Sequence, residues 1–462
     1  MTLFAVIFAL LAGFFLFGLP RHRACLPLLI GATYMTLGQV IDVGPFHFTI
    51  LRILVAIGVM RVLTRGERVH GGWIVLDKLI IAWGICAICN SVFHKDVSAT
   101  LIGRLGLSYD WLGFYFLLRI FIRDANSLLA ICRIVIIVLV PVAIEMIVEV
   151  VTGKNTFSFL GGVSELSEIR GGRVRAQGPF ASSILAGTVG AVCLPLALVF
   201  WRKARRFALV GLFATGSMIV ASGSSGPIVT VMSASLGLAL WRFRQHMRLI
   251  RWCAVLGLVA LNMVMKVPVY YLLARIDFTG HSTGYYRAAL IDAAVRHLGD
   301  WWLWGTDYTR DWMPADNVVA WSEDHIDMTN EYLKMGVLGG LPLMLLFIGI
   351  LICAFSAVGK ALRSYAETPL EKQFVIWTIG SILFGHAATF FSVTYFDQSI
   401  VFLFLTLASI GSLQAVPVAE SPEQHEAGSI PGSILIQGSS GDLQRRRVPV
   451  IAAATPSRRV RT

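Results

Sequence analysis

Long apolar runs broken by short polar gaps set the pattern of this chain. A membrane-crossing helix needs about 20 such residues, and reading the runs predicts about thirteen spans. They fall near 2–19, 24–41, 46–63, 74–93, 105–122, 128–150, 179–200, 206–221, 227–241, 251–270, 336–357, 374–391 and 398–414. Every other gap is basic. Arg21 and Arg23 mark the first, Arg61, Arg65 and Arg68 the second, and Arg123 the third. Arg202, Lys203, Arg205 and Arg206 form the fourth, Arg242, Arg244, Arg248 and Arg251 the fifth, and Lys360, Arg363 and Lys372 the sixth. Basic gaps face the cytoplasm, so the N-terminus is expected outside and the C-terminus inside. Twelve spans with both ends inside remain an alternative if the first run does not cross. The run Met1–Leu19 lacks a basic lead and a clear cleavage site, so it reads as a span rather than a removed signal.

The expected fold class is therefore all-α, a polytopic transmembrane helical bundle of about 12–13 spans. Residues 1–414 form the membrane domain. Two long connections lie outside, 151–178 and 271–335, the larger partly helical. The tail, 415–462, is rich in Pro, Gly, Ser and Gln and is expected to be disordered and cytoplasmic. Composition agrees. Of 462 residues, 56% are apolar and only 14% charged, against about 25% in an ordinary soluble domain. Mean hydropathy is +0.72. A soluble enzyme, a disordered chain and a disulfide-stapled scaffold are all excluded. The net charge of +12 sits mostly in the gaps, where membrane orientation accounts for it, so no nucleic-acid partner is expected. All seven cysteines fall in or beside apolar runs, and Cys86 and Cys89, although at redox-motif spacing, read as small packing residues.

The first outer connection breaks the charge rule. Arg170-Gly171-Gly172-Arg173-Val174-Arg175 places three arginines just before a span. A guanidinium fork matches phosphate oxygens, and glycine lets backbone approach a ligand closely. The plainer reading pairs these arginines with lipid phosphates or with acids of the other loop. That loop, 271–335, holds five basic residues, ten acidic ones and five of the twelve tryptophans. Carboxylates beside aromatic faces suit a sugar. An interfacial belt explains Trp301, Trp302 and Trp304 equally well, but explains Trp312 and Trp321 less well. Apolar spacing from Arg287 to Leu298 predicts an amphipathic helix against the membrane. A cation in its first turn, Arg287, opposes the helix dipole and needs a partner or a ligand. His325 stands between Asp324 and Asp327, acids expected to raise its pKa; it could take a proton from a sugar hydroxyl, or be structural.

Four segments together resemble the O-antigen ligase and O-antigen polymerase superfamily of bacterial glycan-assembly proteins. Arg175-Ala176-Gln177-Gly178-Pro179-Phe180 is similar to its Arg-x-x-Gly-Pro-Phe lead into a span. Ser225-Gly226 stands where the family has Ser-Arg-Gly, here without the arginine. Gly280-His281-Ser282-Thr283-Gly284-Tyr285-Tyr286-Arg287, with Trp304-Gly305 after it, looks like the family's arginine segment. His325 with Gly336 and Gly339 fits the spacing of the ligase histidine pattern. Ile326 replaces the polar residue expected after that histidine, and Asn330-Glu331-Tyr332-Leu333 is displaced from it. Asn330 or Asp327 could hold the functional position instead. These departures favour a polymerase slightly over a ligase.

The resemblance implies a glycosyltransferase of the bacterial inner membrane, acting at its outer, periplasmic face in O-antigen or exopolysaccharide biosynthesis. Its donor would be a glycan on undecaprenyl diphosphate, and its acceptor another glycan or lipid-linked glycan. Membrane lipids and polysaccharide assembly or export proteins are the other expected partners. Arg175, Arg287, Arg173 and Arg170 would hold the diphosphate. His325, Asp324 or Asp327 would activate the acceptor, and Trp312, Trp321 and Asn330 would contact sugar. No cofactor or metal is expected, since the chain has neither a phosphate loop nor zinc-ligand spacing. Two other classes compete. A transporter or flippase for a lipid-linked or anionic solute would use the ionisable residues within spans, Arg52, Asp77, Lys78, Glu145, Glu149 and His386. A non-catalytic assembly subunit would need none of these sites.

Overall fold

A computed structural model describes residues 1–275, 284–313 and 324–415. They are mostly helical. The helices are α1 (Leu3–Gly18), α2 (Cys25–Tyr34), α3 (Ile50–Arg65), α4 (Val75–Cys89), α5 (Val97–Phe121), α6 (Ala125–Thr152), α7 (Ser183–Leu198) and α8 (Arg205–Ala221). They continue with α9 (Ser225–Ala239), α10 (Met247–Val264), α11 (Gly284–Arg296), α12 (Leu298–Trp301), α13 (Glu331–Ser364), α14 (Leu370–Thr389) and α15 (Ile400–Ala415). Among the described residues four helical stretches are long and apolar enough to cross a membrane: Val75–Phe93, Ala125–Thr152, Ser225–Val264 and Glu331–Ser364. Shorter apolar helices are Leu3–Gly18, Ser183–Leu198 and Ile400–Ala415.

Local chemistry sets the helix ends. Asp124 caps α6 by accepting from the Ser127 amide at 2.8 Å, and Gly153, at φ 71°, closes its last turn. Asn330 caps α13, its side-chain oxygen accepting from the Leu333 amide at 3.1 Å. The span expected over 24–41 is corrected: α2 stops at Tyr34, and Val40–Val43 pairs antiparallel with Phe46–Thr49 as β1 and β2. Branched and aromatic residues flanking Gly44-Pro45 favour that hairpin over continued helix. A second hairpin, β3 (Glu168–Arg170) and β4 (Arg173–Arg175), turns on Gly171 and Gly172. Their φ values of 56° and 75° are those a two-residue hairpin turn requires.

The amphipathic helix expected from Arg287 is α11. Its buried face packs not on lipid but on protein, with Leu290, Ala293 and Ala294 meeting Trp301, Trp312, Ile326 and Val337 in a small separate core. The Trp301 indole donates to the Ala294 carbonyl at 2.9 Å.

Hydrogen bonds gather one set of helix ends. Glu149, near the end of α6, accepts from the amides of Gln177 (3.1 Å) and Gly178 (2.8 Å) and from the Ser167 hydroxyl (2.9 Å). The Ala176 amide donates to the Ala221 carbonyl at the end of α8. Asp397, before α15, accepts from the Ala181 amide at 2.9 Å, and the Gln398 amide group donates to the Pro179 carbonyl at 2.7 Å. Glu331 at the start of α13 donates its amide to the carbonyl of Phe390, just past α14. The other ends carry the basic gaps. Lys203 pairs with Glu371 at 2.5 Å, Arg21 donates to the Ile120 carbonyl at 2.9 Å, and Arg61 donates to that of Leu19 at 2.8 Å.

Helix α13 is kinked at Gly339 and Gly340. There the Leu341 amide donates to the Trp302 carbonyl and the Thr306 amide to that of Val337. Gly340 has φ 71°, and a Cβ on it would land on the Leu303 carbonyl. Gly340→Ala is expected to destabilise the protein by at least about 1–2 kcal/mol, the cost of a left-handed non-glycine residue. Gly349→Ala, later in α13 with open space around it, should not. Thermal unfolding of both purified variants in detergent checks this.

Candidate functional site

A cavity of about 290 Å³ opens where the gathered helix ends meet. Its lining includes Arg170, Arg173 and Arg175 from the second hairpin, Arg287 from α11, and Asp327 and Thr329 from the segment before α13. Ser182, Ser224 and Ser225 contribute from the starts of α7 and α9, and residues 392–394 with Phe396 from the α14–α15 connection. The cavity lies at the small end of ligand pockets, which run from roughly 300 Å³.

Each arginine is placed differently. Arg170 and Arg173 face one another across the hairpin turn and are exposed. Arg175 is buried. Its Nη1 donates to both carboxylate oxygens of Glu168 at 2.8 Å, and its Nη2 donates to Ser224 Oγ at 2.6 Å. Glu168 is itself half exposed, at 55% of its side chain. The pair therefore fixes Arg175 without closing the cavity. Arg287 is 7% exposed, and its Nε is buried with no hydrogen-bond partner. Burial, then the nearby Arg170, pushes the Arg287 pKa down, and the attraction of Asp327 does not offset this. Burial pushes the Asp327 carboxyl up, against the pull of Arg287. Arg287 is the buried member of this pair and Asp327 the exposed one, so the poorly compensated charge is the guanidinium.

Two helix N-termini add to the field. Ser182 precedes α7 and Ser224 precedes α9, and neither side chain caps its helix. Helices of 16 and 15 residues present partial positive charge and unpaired amides at that end. Four guanidiniums and two helix starts face a cavity whose neighbouring carboxylates, among the described residues, include Glu168 and Asp327. An anion would be bound there with little reorganisation.

Other expected site residues lie elsewhere. His325 and Asp324 are not in the cavity wall. Burial outweighs Asp324 and Asp307 and holds the His325 imidazole below its ordinary pKa, so the raised value expected from sequence is corrected: desolvation wins over the acid neighbours. The backbone of this segment is tied to the other side, the amides of Thr309 and Arg310 donating to the Asp324 carbonyl. Trp312 is buried and stacks on His297 at 5.5 Å between centroids. Asn330 is occupied as the α13 cap. Trp321 lies outside the described residues.

The ionisable residues of the transporter reading are mostly engaged by protein. Arg52 pairs with Asp110 at 2.7 Å, Asp77 accepts from Tyr115 at 2.5 Å and lies 3.5 Å from Arg119, and His386 meets the Tyr395 hydroxyl at 2.8 Å. Glu145 and Glu149 anchor the connection that carries the hairpin.

From sequence, the connection between α14 and α15 is a short gap, 392–397, between two apolar runs, with no role assigned to it. Its signal is the polar cluster Ser392, Thr394, Asp397, Gln398 and Ser399.

No protein-family model matches the chain, and no curated protein matches it.

The purified protein is expected to bind inorganic pyrophosphate. Arg287→Met should weaken that binding roughly tenfold or more, since a hydrogen bond to a charged group contributes about 1.5–3 kcal/mol. Lys154→Met, beside the same end of α6 but outside the cavity, should leave it unchanged. Isothermal calorimetry distinguishes the two.

Proposed function

We propose that this protein is a membrane glycosyltransferase that polymerises or ligates glycan from a polyprenyl-diphosphate donor at the outer face of the bacterial inner membrane. The single observation that carries the reading is the convergence of Arg170, Arg173, Arg175 and Arg287 on one cavity. The resemblance to O-antigen ligases and polymerases supplies the reaction class.

The alternation of helix ends supports a polytopic arrangement. The cavity gathers the ends of α6, α8 and α14 with the starts of α7, α9 and α13, whereas the basic gaps lie at the opposite ends. Basic ends inside support a cavity on the outer side. Helix α10 has no buried residue, and its 18 residues rise about 27 Å. A helix so apolar and unpacked suits lipid, and it returns the chain from the basic end of α9 to the cavity end at α11.

In the reaction, the oxygen of an acceptor hydroxyl bonds to the anomeric carbon of the donor sugar. The bond from that carbon to the phosphate oxygen breaks, and its electron pair leaves with the lipid diphosphate. Arg287 and the hairpin arginines stabilise the charge that develops there. Asp327 takes the hydroxyl proton. Its raised pKa makes it a better base than an ordinary carboxylate, and it lies in the cavity wall, which His325 does not.

Arg287→Ala and Arg175→Ala are expected to abolish polymer while protein level and membrane insertion persist. Asp327→Asn should cost about 10²–10⁴-fold in rate, and His325→Gln markedly less. Because Asp327 works deprotonated and its pKa is raised, activity should rise with pH through a step above the ordinary carboxylate range. That step should vanish in Asp327→Asn. Polymer assays in complemented deletion cells, and pH–rate profiles of purified protein, test these outcomes; normal polymer from both arginine variants would remove the diphosphate site.

A further inference from the structure

The cavity has two chemistries, and only one is cationic. Besides the guanidiniums its lining includes hydroxyls and apolar side chains. Ser182 and Thr329 contribute hydroxyls whose oxygens are buried without a hydrogen-bond partner. Ser392, Thr394 and Phe396 come from the short connection between α14 and α15, and Phe396 is 56% exposed.

A diphosphate cannot use all of this wall. Phosphate oxygens accept hydrogen bonds, and four arginines already supply more donors than two phosphates need. Hydroxyls both donate and accept, and an aromatic face binds the apolar side of a sugar ring. The unpartnered Ser182 and Thr329 oxygens carry an energetic cost that a ligand hydroxyl would relieve. Either side chain can turn between staggered wells to meet it. In a sugar diphosphate the first ring is bonded directly to the phosphate, so it must lie within a few ångströms of the guanidiniums. The tryptophan and asparagine expected to hold sugar are occupied elsewhere, Trp312 against His297 and Asn330 at its helix cap.

We infer that Ser182, Thr329, Ser392, Thr394 and Phe396 form the subsite for the diphosphate-proximal sugar of the donor, with the α14–α15 connection selecting which sugar is accepted. This rests on the proposed lipid-diphosphate donor and adds the residues that read the sugar. Thr329 hydrogen-bonds a ring hydroxyl beside Asp327, and Phe396 packs on the face of the ring. Discrimination follows from leaving a buried hydroxyl unpaired when the wrong epimer binds.

The test measures binding of two probes to the full-length protein in detergent: bare polyprenyl diphosphate, and the same lipid carrying its first sugar. Wild type should bind the sugar-bearing lipid more tightly. Thr329→Val should lose that preference by roughly tenfold, for a lost buried hydrogen bond, and Phe396→Leu should reduce it through the lost aromatic face, while binding of the bare lipid is unchanged. Equal weakening of both lipids, or no change in either, would overturn the subsite. Arg287→Ala reports on the underlying reading separately, since it should weaken both lipids alike. If that variant holds bare lipid as wild type does, the diphosphate site fails, and the sugar subsite fails with it.

Discussion

Burying a guanidinium beside a carboxylate that cannot fully neutralise it is the constraint on which the site depends. Arg287 and Asp327 both lie in the wall of one cavity, Arg287 buried and Asp327 exposed, and for Arg287 the loss of water outweighs the attraction of the carboxylate. A buried charge left in that condition costs several kcal/mol. The unpartnered Nε of Arg287 adds to the cost. On the proposed reading an anion in the cavity is attracted by Arg287 and the hairpin arginines, and this must outweigh its repulsion from Asp327.

The rest of the scaffold holds that arrangement in place. Arg175 is fixed by Glu168 and Ser224, and the hairpin bearing it is tied down by Glu149 reaching from α6 to the backbone of Gln177 and Gly178. The same carboxylate that a transporter would use as an ion relay is thus spent on three hydrogen bonds to one connection. The kink of α13 at Gly340 lets the Trp302–Thr306 backbone seat against that helix. Trp301 and Trp312 then complete the small core beneath α11, which sets where Arg287 points. Site and scaffold are therefore one design: apolar packing and backbone hydrogen bonds hold Arg175 and Arg287 buried at the wall of the cavity.

Much of the helical content was legible because apolar runs and basic gaps follow simple rules, and α6, α8, α9 and α15 start within three residues of the expected runs. The hairpin over 40–49 was not, since a strand of branched residues and a short span look alike without a partner strand in view. Among the site residues, the arginines stood out because cations on an outer connection violate the charge bias. Their glycines were read as room for a ligand, whereas Gly171 and Gly172 serve the turn. The 392–396 segment was hidden for the opposite reason: serine, threonine and phenylalanine between two apolar runs break no rule. The environment of His325 was misjudged because sequence shows its acid neighbours but not its burial, and burial has the larger effect.

What the protein does with a lipid-linked glycan when no gradient is available tests the proposed transfer most directly. Purified protein in detergent, given a polyprenyl-diphosphate glycan donor and a matching acceptor, should produce a longer glycan and release free lipid diphosphate. Unchanged donor and acceptor, under conditions where the protein demonstrably binds both, would contradict it.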